Sequence, residues 1–459
     1  MKSAVERREP ESRDVVGKGA LYRTLWRWHF YAGLICIPFV IWLAVTGSAY
    51  LFRPQLEGWF DRDFSSLERT GHPASQQQIV DAAIATHPGS TMAAIVLPEH
   101  IDDAARVVIS DHGARTRVYL HPDTLQVLKT RDDSNTLERA IFRLHGELML
   151  GPNGSYLVEL AASWAIVMIL SGLYLWWPRS ASGLGGVLYP RIGQGAKRFW
   201  RDLHAVVGMW VSVFALFLLI SGLPWATVWG QAFKSVRAMT GTAAVTQDWK
   251  LAGDSEHAEH VGAQKTSDGM GAMAGMEHMS HGVSLDTIIA NATAQNLAPP
   301  VLITPPSKKD PNWWAKSDAQ NRPARADVVL SAMTGEVLAR KTFGEKHIID
   351  QIVGVGIAAH EGQLFAPLNQ VLGVLTALGL ITLCVSAFVM WRRRAPEGML
   401  GAPPPIPDAR IGWGLAVLII VSAILLPVLG ISLIVIGLVE WIALRRLPFA
   451  RRWLGLKPI

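Results

Sequence analysis

The sequence predicts a membrane all-α bundle that carries two small α+β modules outside the bilayer. Three observations predict this class. Half of the 459 residues are hydrophobic, only 17% are charged and the mean hydropathy is +0.24, whereas soluble proteins carry about 25% charged residues. The apolar residues gather into stretches of the roughly 20 residues that a helix needs to cross a membrane. Two longer polar segments separate these stretches.

Four apolar stretches define the predicted core of the bundle, and a fifth follows them. The four cover about residues 30–52, 156–177, 205–229 and 368–391. The last stretch, residues 411–444, is long for one crossing, and Pro427 and Gly430 interrupt it. Because proline breaks a helix, we predict a tight helical hairpin here and six crossings in all.

Arginine and lysine residues near the ends of the stretches predict the orientation. They cluster before the first stretch, between the second and third, after the fourth and after the hairpin. All four clusters fall on one side, which predicts a bacterial inner-membrane protein with both termini in the cytoplasm. The same clusters account for the net charge of +6, so we expect lipid contacts and no nucleic-acid partner. The first stretch lacks a cleavage site and is expected to stay as an anchor.

These stretches divide the chain into alternating membrane and extramembrane segments. The predicted cytoplasmic segments are 1–28, 179–203, 393–410 and 445–459. The predicted spans are 29–53, 144–178, 204–230 and 360–392, with the hairpin at 411–444. The predicted periplasmic modules are 54–143 and 231–359. In the first module, a helix from residue 76 to 86 precedes runs at 118–121 and 125–128 that predict a β-hairpin. Residues 284–342 repeat this order.

The chain contains two related halves, each made of a span, an outer module and a span. In spans one and three, a histidine is followed by Gly four residues on and by Thr-Gly or Ser-Gly at seventeen and eighteen. Before spans two and four, a histidine is followed by Ser at twenty-six and Trp at thirty-one. The halves therefore run parallel, as repeats related by an axis along the membrane normal. The aligned positions are His29 with His204, Gly33 with Gly208, Thr46 with Ser221, Gly47 with Gly222, His145 with His360, Ser171 with Ser386 and Trp176 with Trp391.

Four histidines at matched span ends are the candidate cofactor ligands. We expect His29 and His204 to meet near the cytoplasmic surface, and His145 and His360 near the outer surface. Such pairs supply the axial ligands of two b-type haems, which transfer electrons. The alternative is interfacial histidines bonded to headgroups or backbone. No nucleotide-binding glycine fingerprint follows a strand, so we expect an external donor, a quinol or a cytoplasmic reductant. No catalytic residue is singled out.

The repeated motifs resemble those of the PepSY-associated transmembrane family over roughly residues 20–395. They are Trp-Arg-x(1–2)-His with Gly and Thr/Ser-Gly in spans one and three, and His-Gly-Glu-Leu and His-Glu-Gly-Gln-Leu before spans two and four. The outer modules resemble PepSY domains. Some members resemble FoxB-type ferrisiderophore reductases, which implies reduction of a periplasmic ferric chelate and haem at the four histidines. This chain departs from a minimal member of the family by a Met/His-rich insert, which adds copper as a second candidate metal.

A segment rich in Met and His, residues 253–282, interrupts the second module. Thioether sulfur suits Cu(I), and imidazole binds either copper state, so the segment predicts capture of copper or another soft metal. The alternative is a linker in which Met is incidental. The predicted metal ligands are His257, His260, Met270, Met273, Met276, His278, Met279 and His281.

Two further functions remain open besides a transmembrane metal reductase. PepSY-like modules resemble protease-inhibitory segments, so the chain could be a non-catalytic protein that binds a periplasmic protease. It could also handle copper through the insert. Glu147 and Glu361, beside the outer histidines, are candidates to orient an imidazole, Trp313-Trp314 is a candidate chelate platform, and Glu159 and Glu440 are acids near spans.

Overall fold

A computed structural model describes residues 10–133, 136–179, 183–242, 282–308, 310–404 and 412–456, with only the backbone for 10–18. The chain forms two units. The first, here the membrane unit, comprises Met1–Ala49, Arg143–Arg237 and Val371–Ile459. The second, here the sheet unit, comprises Tyr50–Phe142 and Ala238–Gln370.

Helices occupy most of the described chain. In chain order they are α1 (Pro10–Leu51), α2 (Arg53–Asp61), α3 (Gln76–Ala85), α4 (Leu137–Glu147), α5 (Pro152–Trp176), α6 (Ala196–Gly222), α7 (Thr227–Met239), α8 (Leu285–Thr293), α9 (Ile348–His360), α10 (Leu368–Arg394), α11 (Trp413–Leu425), α12 (Pro427–Ile442) and α13 (Pro448–Leu454).

Five helical segments of the described chain are long and apolar enough to cross a membrane. They are Gly19–Leu51, Pro152–Trp176, Ala196–Trp225, Leu368–Arg394 and Pro427–Arg446. The first four contain most of the predicted core stretches. Helix α1 begins far upstream of its stretch, because no proline interrupts the chain between Pro10 and Pro38.

The last apolar stretch breaks where the sequence predicts. Helix α11 ends at Leu425, and α12 begins at Pro427, because proline fits the first turn of a helix but not its interior. The 13 residues of α11 extend about 20 Å at 1.5 Å per residue, which is short of a hydrocarbon core of roughly 30 Å. The count of six crossings therefore stays a prediction.

A buried carboxylate joins α5 to α7 within the membrane unit. Glu159 is 2% exposed, and its two oxygens accept hydrogen bonds from the backbone N–H groups of Val228 (2.8 Å) and Trp229 (3.0 Å). These groups lie in the first turn of α7, where N–H donors have no partner inside the helix and negative charge is favoured. Glu159 thus caps a helix, whereas Glu440 is exposed.

The sheet unit contains one continuous antiparallel sheet rather than two separate modules. Its strands are β1 (Thr91–Val96), β2 (Ala105–Asp111), β3 (Ala114–Leu120), β4 (Val127–Asp132), β5 (Val301–Thr304), β6 (Trp313–Ser317), β7 (Ala326–Leu330) and β8 (Val337–Thr342). The order is β4-β3-β2-β1-β5-β6-β7-β8. Each half of the chain supplies four strands, and the halves join where β1 pairs with β5 at Ile95–Ile303 and Val96–Leu302.

Equivalent helices cover one face of this sheet. Ser75 begins α3 with a capping box. Its side chain accepts from the Gln78 backbone N–H, and the Gln78 side chain accepts from the Ser75 backbone N–H. Ser284 begins α8 with a simpler cap, in which its side chain accepts from the Thr287 backbone N–H, as serine caps commonly do. Alternating strand residues and the inner faces of both helices form the core. Its members include Ile79, Val80, Val107, Ile109, Val118, Leu120, Ile288, Ile303, Trp313 and Val328.

A partly buried ion pair connects α2 with α4 in the sheet unit. The Arg53 guanidinium lies 2.5 Å from the Glu138 carboxylate and 3.3 Å from that of Glu57. Burial raises the pKa of Glu138 to about 7. The charge of Arg53 opposes this rise, and the carboxylates of Glu57, Asp318 and Glu361 add to it.

Stability of the sheet unit is expected to fall as the pH rises from about 4.5 to about 7. In this pH interval Glu138 keeps its proton in the folded state but releases it in the unfolded chain, where its pKa is the ordinary 4.5. Because the folded state then binds more protons than the unfolded state, its stability falls as the pH rises. In Glu138→Gln this contribution is absent, so its melting temperature should vary less across the interval. If the melting temperatures of the variant and the wild type changed equally with pH, Glu138 would not be the group responsible.

Candidate functional site

Two histidines of the membrane unit lie side by side at equivalent positions of the repeat. His29 is inside α1 and His204 is inside α6, so neither sits at the start of its helix as the sequence suggested. Their ring centroids are 6.4 Å apart, and the ring planes are nearly perpendicular at 86°. Both side chains are partly buried. The two halves of the chain therefore each contribute one imidazole to a common place.

This separation suits a metal ion between the two rings. A metal–imidazole bond is about 2.0 Å long, and a ring nitrogen lies roughly 1.1 Å from its ring centre, so a metal held by opposed rings separates the centroids by about 6.2 Å. The observed 6.4 Å fits that value. Two imidazole rings in direct van der Waals contact, with no metal between them, can have the same centroid distance. The protonation of the ring nitrogens therefore has to show whether the pair could bind a metal.

Serine hydroxyls fix which nitrogen of each ring carries a proton. His29 Nδ1 lies 3.0 Å from Ser171 Oγ, and His204 Nδ1 lies 3.1 Å from Ser386 Oγ. Each serine already donates its hydroxyl hydrogen to a carbonyl of its own helix, Ser171 to Met168 at 3.1 Å and Ser386 to Leu383 at 3.0 Å. A hydroxyl has one hydrogen, so each serine oxygen must accept from Nδ1–H.

The resulting tautomer leaves the Nε2 lone pair available on both rings. His204 Nδ1 also lies 3.1 Å from the Leu383 carbonyl oxygen, which can only accept and so favours the same tautomer. Histidines that bind metals typically donate the opposite N–H to a carbonyl or a polar side chain, which orients the ring. The ring separation, tautomer and hydrogen bonds of the pair are compatible with a two-imidazole metal site.

A third histidine has the same kind of support. His145 Nδ1 lies 3.0 Å from Thr46 Oγ1, and Thr46 donates its hydroxyl hydrogen to the Trp42 carbonyl at 2.8 Å. Ser221, the repeat equivalent of Thr46, donates to the Phe217 carbonyl at 2.7 Å. The alignment of Thr46 with Ser221 in the sequence was the signal for the Thr46 hydroxyl, although the sequence alone did not assign it this role.

The outer histidines are placed differently from the prediction. His145 lies near the end of α4 and His360 ends α9, and each helix stops before the span that follows it. The turn after α4 includes Leu148 and Met149 at positive φ, which ends the helix. His145 belongs to the membrane unit and His360 to the sheet unit, so their pairing stays a prediction.

Glycines bring the helix backbone against two of these imidazoles. A Cβ on Gly172 would lie 3.1 Å from His29 Cε1, and one on Gly47 would lie 3.0 Å from His145 Cε1. Both contacts are tighter than ordinary van der Waals distance. Gly33 and Gly208, which the sequence suggested for close approach of a cofactor, instead lie against Met168 and Leu383, each at 3.4 Å.

The remaining candidates divide into structural residues and residues outside the description. The Glu361 carboxylate forms a buried ion pair with Arg322 at 2.7 Å, and Trp313 is 3% exposed in the sheet core, so its indole is no chelate platform. Within the described residues, no group of three or more His, Cys, Asp or Glu side chains is arranged to hold a metal. The insert ligands lie outside those residues: His257, His260, Met270, Met273, Met276, His278, Met279 and His281.

Five apolar helices among the described residues, together with the internal repeat, indicate a multi-pass membrane protein. A family model described as the PepSY-associated TM region matches residues 26–394. Because this match covers most of the chain and all four histidines, the chain belongs to the PepSY-associated transmembrane family, as its motifs predicted. No curated protein matches the chain.

Proposed function

We propose that this chain binds haem between His29 and His204 and works as a transmembrane reductase of a metal chelate. The observation that carries the proposal is the pair of imidazoles 6.4 Å apart, each held with Nδ1 as donor. A haem with two histidine ligands supplies low-spin, one-electron transfer. The only cysteines, Cys36 and Cys384, lie far apart in the sequence, so attachment through a Cys-x-x-Cys-His motif is excluded and the haem is of the b type.

The residues of the chain hold and insulate this site. His29 and His204 would hold the haem iron through their Nε2 atoms, while Ser171 and Ser386 keep both rings in one tautomer. The apolar helices around them exclude water, which tunes the potential of a bound group. The sequence repeat extends the proposal to a second haem with His145 and His360 as ligands.

The direction of transfer follows from the proposed orientation. The Lys and Arg clusters support an orientation in which His29 and His204 lie near the cytoplasmic face of a bacterial inner membrane and the sheet unit lies in the periplasm. A quinol gives up two electrons and two protons, and each electron converts one ferric ion of a chelate to ferrous iron; a cytoplasmic reductant can replace the quinol. Copper, bound by the Met/His-rich insert, is the second candidate metal.

The visible spectrum of the full-length protein in detergent tests this proposal. We expect a Soret band, about two haems per chain by the pyridine haemochrome method, and reoxidation of the dithionite-reduced protein on addition of ferric citrate. A monodisperse, folded protein that lacks haem after expression with haem precursor, and that takes up no added haemin, would refute it.

Substitution of Gly172 by Ala is expected to lower the haem occupancy of the His29 site. The added methyl group would lie 3.1 Å from His29 Cε1, so the imidazole must move by a few tenths of an ångström, and overpacking of this kind costs about 1–3 kcal/mol. The measurement is haem stoichiometry together with the position of the α-band.

Gly33→Ala is the matched control for this substitution. It adds the same methyl group to the facing helix, but its neighbour is the flexible Met168 side chain at 3.4 Å, so occupancy should not change. Equal losses in the two variants would show that helix packing, and not displacement of His29, is responsible.

A further inference from the structure

A short loop between α5 and α6 exposes a group of large apolar side chains. The apolar loop is defined here as residues 184–192, which lie within the membrane unit. Its exposed apolar residues are Leu184, Leu188, Tyr189 and Ile192, and Ile192 is 84% exposed. Single exposed apolar residues are common in proteins, whereas a group of them marks a surface that contacts a membrane or a partner.

Two tryptophan side chains hold the apolar loop against the spans on either side of it. Trp176 ends α5, and its indole N–H donates to the Val187 carbonyl at 3.2 Å. The indole N–H of Trp210, inside α6, donates to the Leu188 carbonyl at 3.0 Å. The loop therefore lies alongside these two helices instead of extending away from them.

The position of Trp210 shows that the loop reaches the apolar part of α6. This helix has no charged residue after Asp202, and Trp210 follows eight residues later, which is about 12 Å along the axis at 1.5 Å per residue. From Trp210 onward, α6 presents a stripe of exposed apolar residues that suits contact with lipid. The stripe comprises Trp210, Val213, Phe214, Phe217 and Ile220.

An ion pair holds the end of the apolar loop at the polar start of α6. Arg191 Nε lies 2.6 Å from Asp202 Oδ2, and Arg191 Nη2 lies 3.0 Å from Asp202 Oδ1. Asp202 is fully buried, whereas Lys197 and Arg198, in the first turn of α6, are exposed. Exposed apolar residues next to exposed cations are typical of a segment that lies in a membrane interface with anionic headgroups.

The backbone of the apolar loop satisfies several of its polar groups by itself. The Gly186 N–H donates to the Tyr189 carbonyl at 2.7 Å, and the N–H groups of Val187 and Leu188 donate to the Leu184 carbonyl at 3.0 and 2.9 Å. The two indoles use the carbonyls of Val187 and Leu188. Irregular backbone is costly in a membrane unless its polar groups are bonded, and these bonds meet that requirement.

We propose that the apolar loop is inserted among the lipid acyl chains of the membrane leaflet nearest the start of α6. Its four exposed apolar side chains continue the lipid-facing stripe of α6, and the neighbouring cations lie at the level of the headgroups. The segment 179–203, predicted to be cytoplasmic, would then enter the bilayer and leave it on the same side. The proposal is independent of haem, because lipid is its only ligand.

Spin-label accessibility in the full-length protein, reconstituted in nanodiscs of phosphatidylglycerol and phosphatidylethanolamine, tests the proposal. The label is attached at Leu188→Cys with Cys36 and Cys384 replaced by Ser. It should collide more often with oxygen, which concentrates among acyl chains, than with a water-soluble nickel chelate. Val213→Cys, in the exposed stripe of α6, is the lipid-facing control and should show the same preference. Lys197→Cys, at an exposed position in the first turn of α6, is the aqueous control and should show the opposite preference.

Two results of this experiment would overturn the proposal. A preference for the nickel chelate at Leu188→Cys, equal to that at Lys197→Cys, would show that the loop lies in water. Low accessibility to both reagents would show that protein covers the loop, as in contact with a second copy of this chain.

Hydroxyl-radical footprinting of the wild-type protein in the same nanodiscs covers the case in which a variant does not fold. Tyr189 is 57% exposed, so radicals formed in water would oxidise it rapidly if the loop faced the solvent. We expect slow oxidation of Tyr189 and oxidation at the normal rate for its residue type of His112, which is almost fully exposed in the sheet unit. Rapid oxidation of Tyr189 would refute insertion of the loop.

Discussion

A His204→Ala variant is expected to contain about half the haem of the wild type, because one of the two proposed bis-histidine sites loses a ligand. His29→Ala should give the same loss, since His29 and His204 form one pair 6.4 Å apart. A double variant should lose no more than either single variant. This lack of additivity is the signature of two ligands on one iron, and two separate sites would lose haem in steps.

Haem stoichiometry and electron paramagnetic resonance of each purified variant measure this effect. The matched control is His112→Asn: His112 is almost fully exposed in a turn of the sheet unit, and asparagine tolerates its positive φ of 45°. It should keep both haems. If His112→Asn and His204→Ala lost haem equally, the loss would reflect general instability.

Replacing the supporting hydroxyl should have a smaller effect than replacing the ligand. Ser386→Ala leaves His204 Nδ1 with the Leu383 carbonyl at 3.1 Å, so haem should be retained. Its reduction potential should shift, since outer hydrogen bonds tune the basicity of a ligand. Potentiometric titration that gives identical potentials for Ser386→Ala and the wild type would contradict this role for the serine.

The apolar helices and the proximity of His29 to His204 were predictable from sequence because their signals are local or repeated. Apolar length marks a span, and the matched offsets of His29 and His204 mark equivalent positions. The serine supports were visible as aligned residues at a fixed distance from the other histidines. Their role was not, because Ser171 follows His145 by twenty-six residues yet its hydroxyl contacts His29, on a different helix.

The continuous sheet and the ends of α4 and α9 could not be predicted from local or repeated sequence signals. Pairing of β1 with β5 connects residues about two hundred positions apart, and no local pattern records such a register. The apolar character of α9 also runs up to His360, so composition does not separate it from the next span. The partners of charged residues that are distant in sequence, such as α7 for Glu159, could not be predicted either, because no local pattern records them.

Loss of either member of the Arg322–Glu361 ion pair is expected to destabilise the sheet unit by about 3–5 kcal/mol, because it leaves a buried charge without its partner. The two side chains are 8% and 7% exposed, and Arg322 Nη1 lies 2.7 Å from Glu361 Oε2. Arg322 Nε has no acceptor among the described residues, so this guanidinium already carries an unsatisfied donor and depends on Glu361 for compensation.

A double-mutant cycle measures this coupling. Arg322→Met and Glu361→Leu should each lower the free energy of unfolding, and the double variant should be less destabilised than the sum, because apolar residues of similar volume often replace a buried pair without loss. Urea unfolding, with hydrogen exchange of strands β5 to β7 as the readout, measures the stability of the sheet unit. Arg62→Ala, in an exposed pair with Asp63, should change stability by less than about 1 kcal/mol. Additive single effects would show that the two residues stabilise the unit independently, and would remove the ion pair as the reason for their burial.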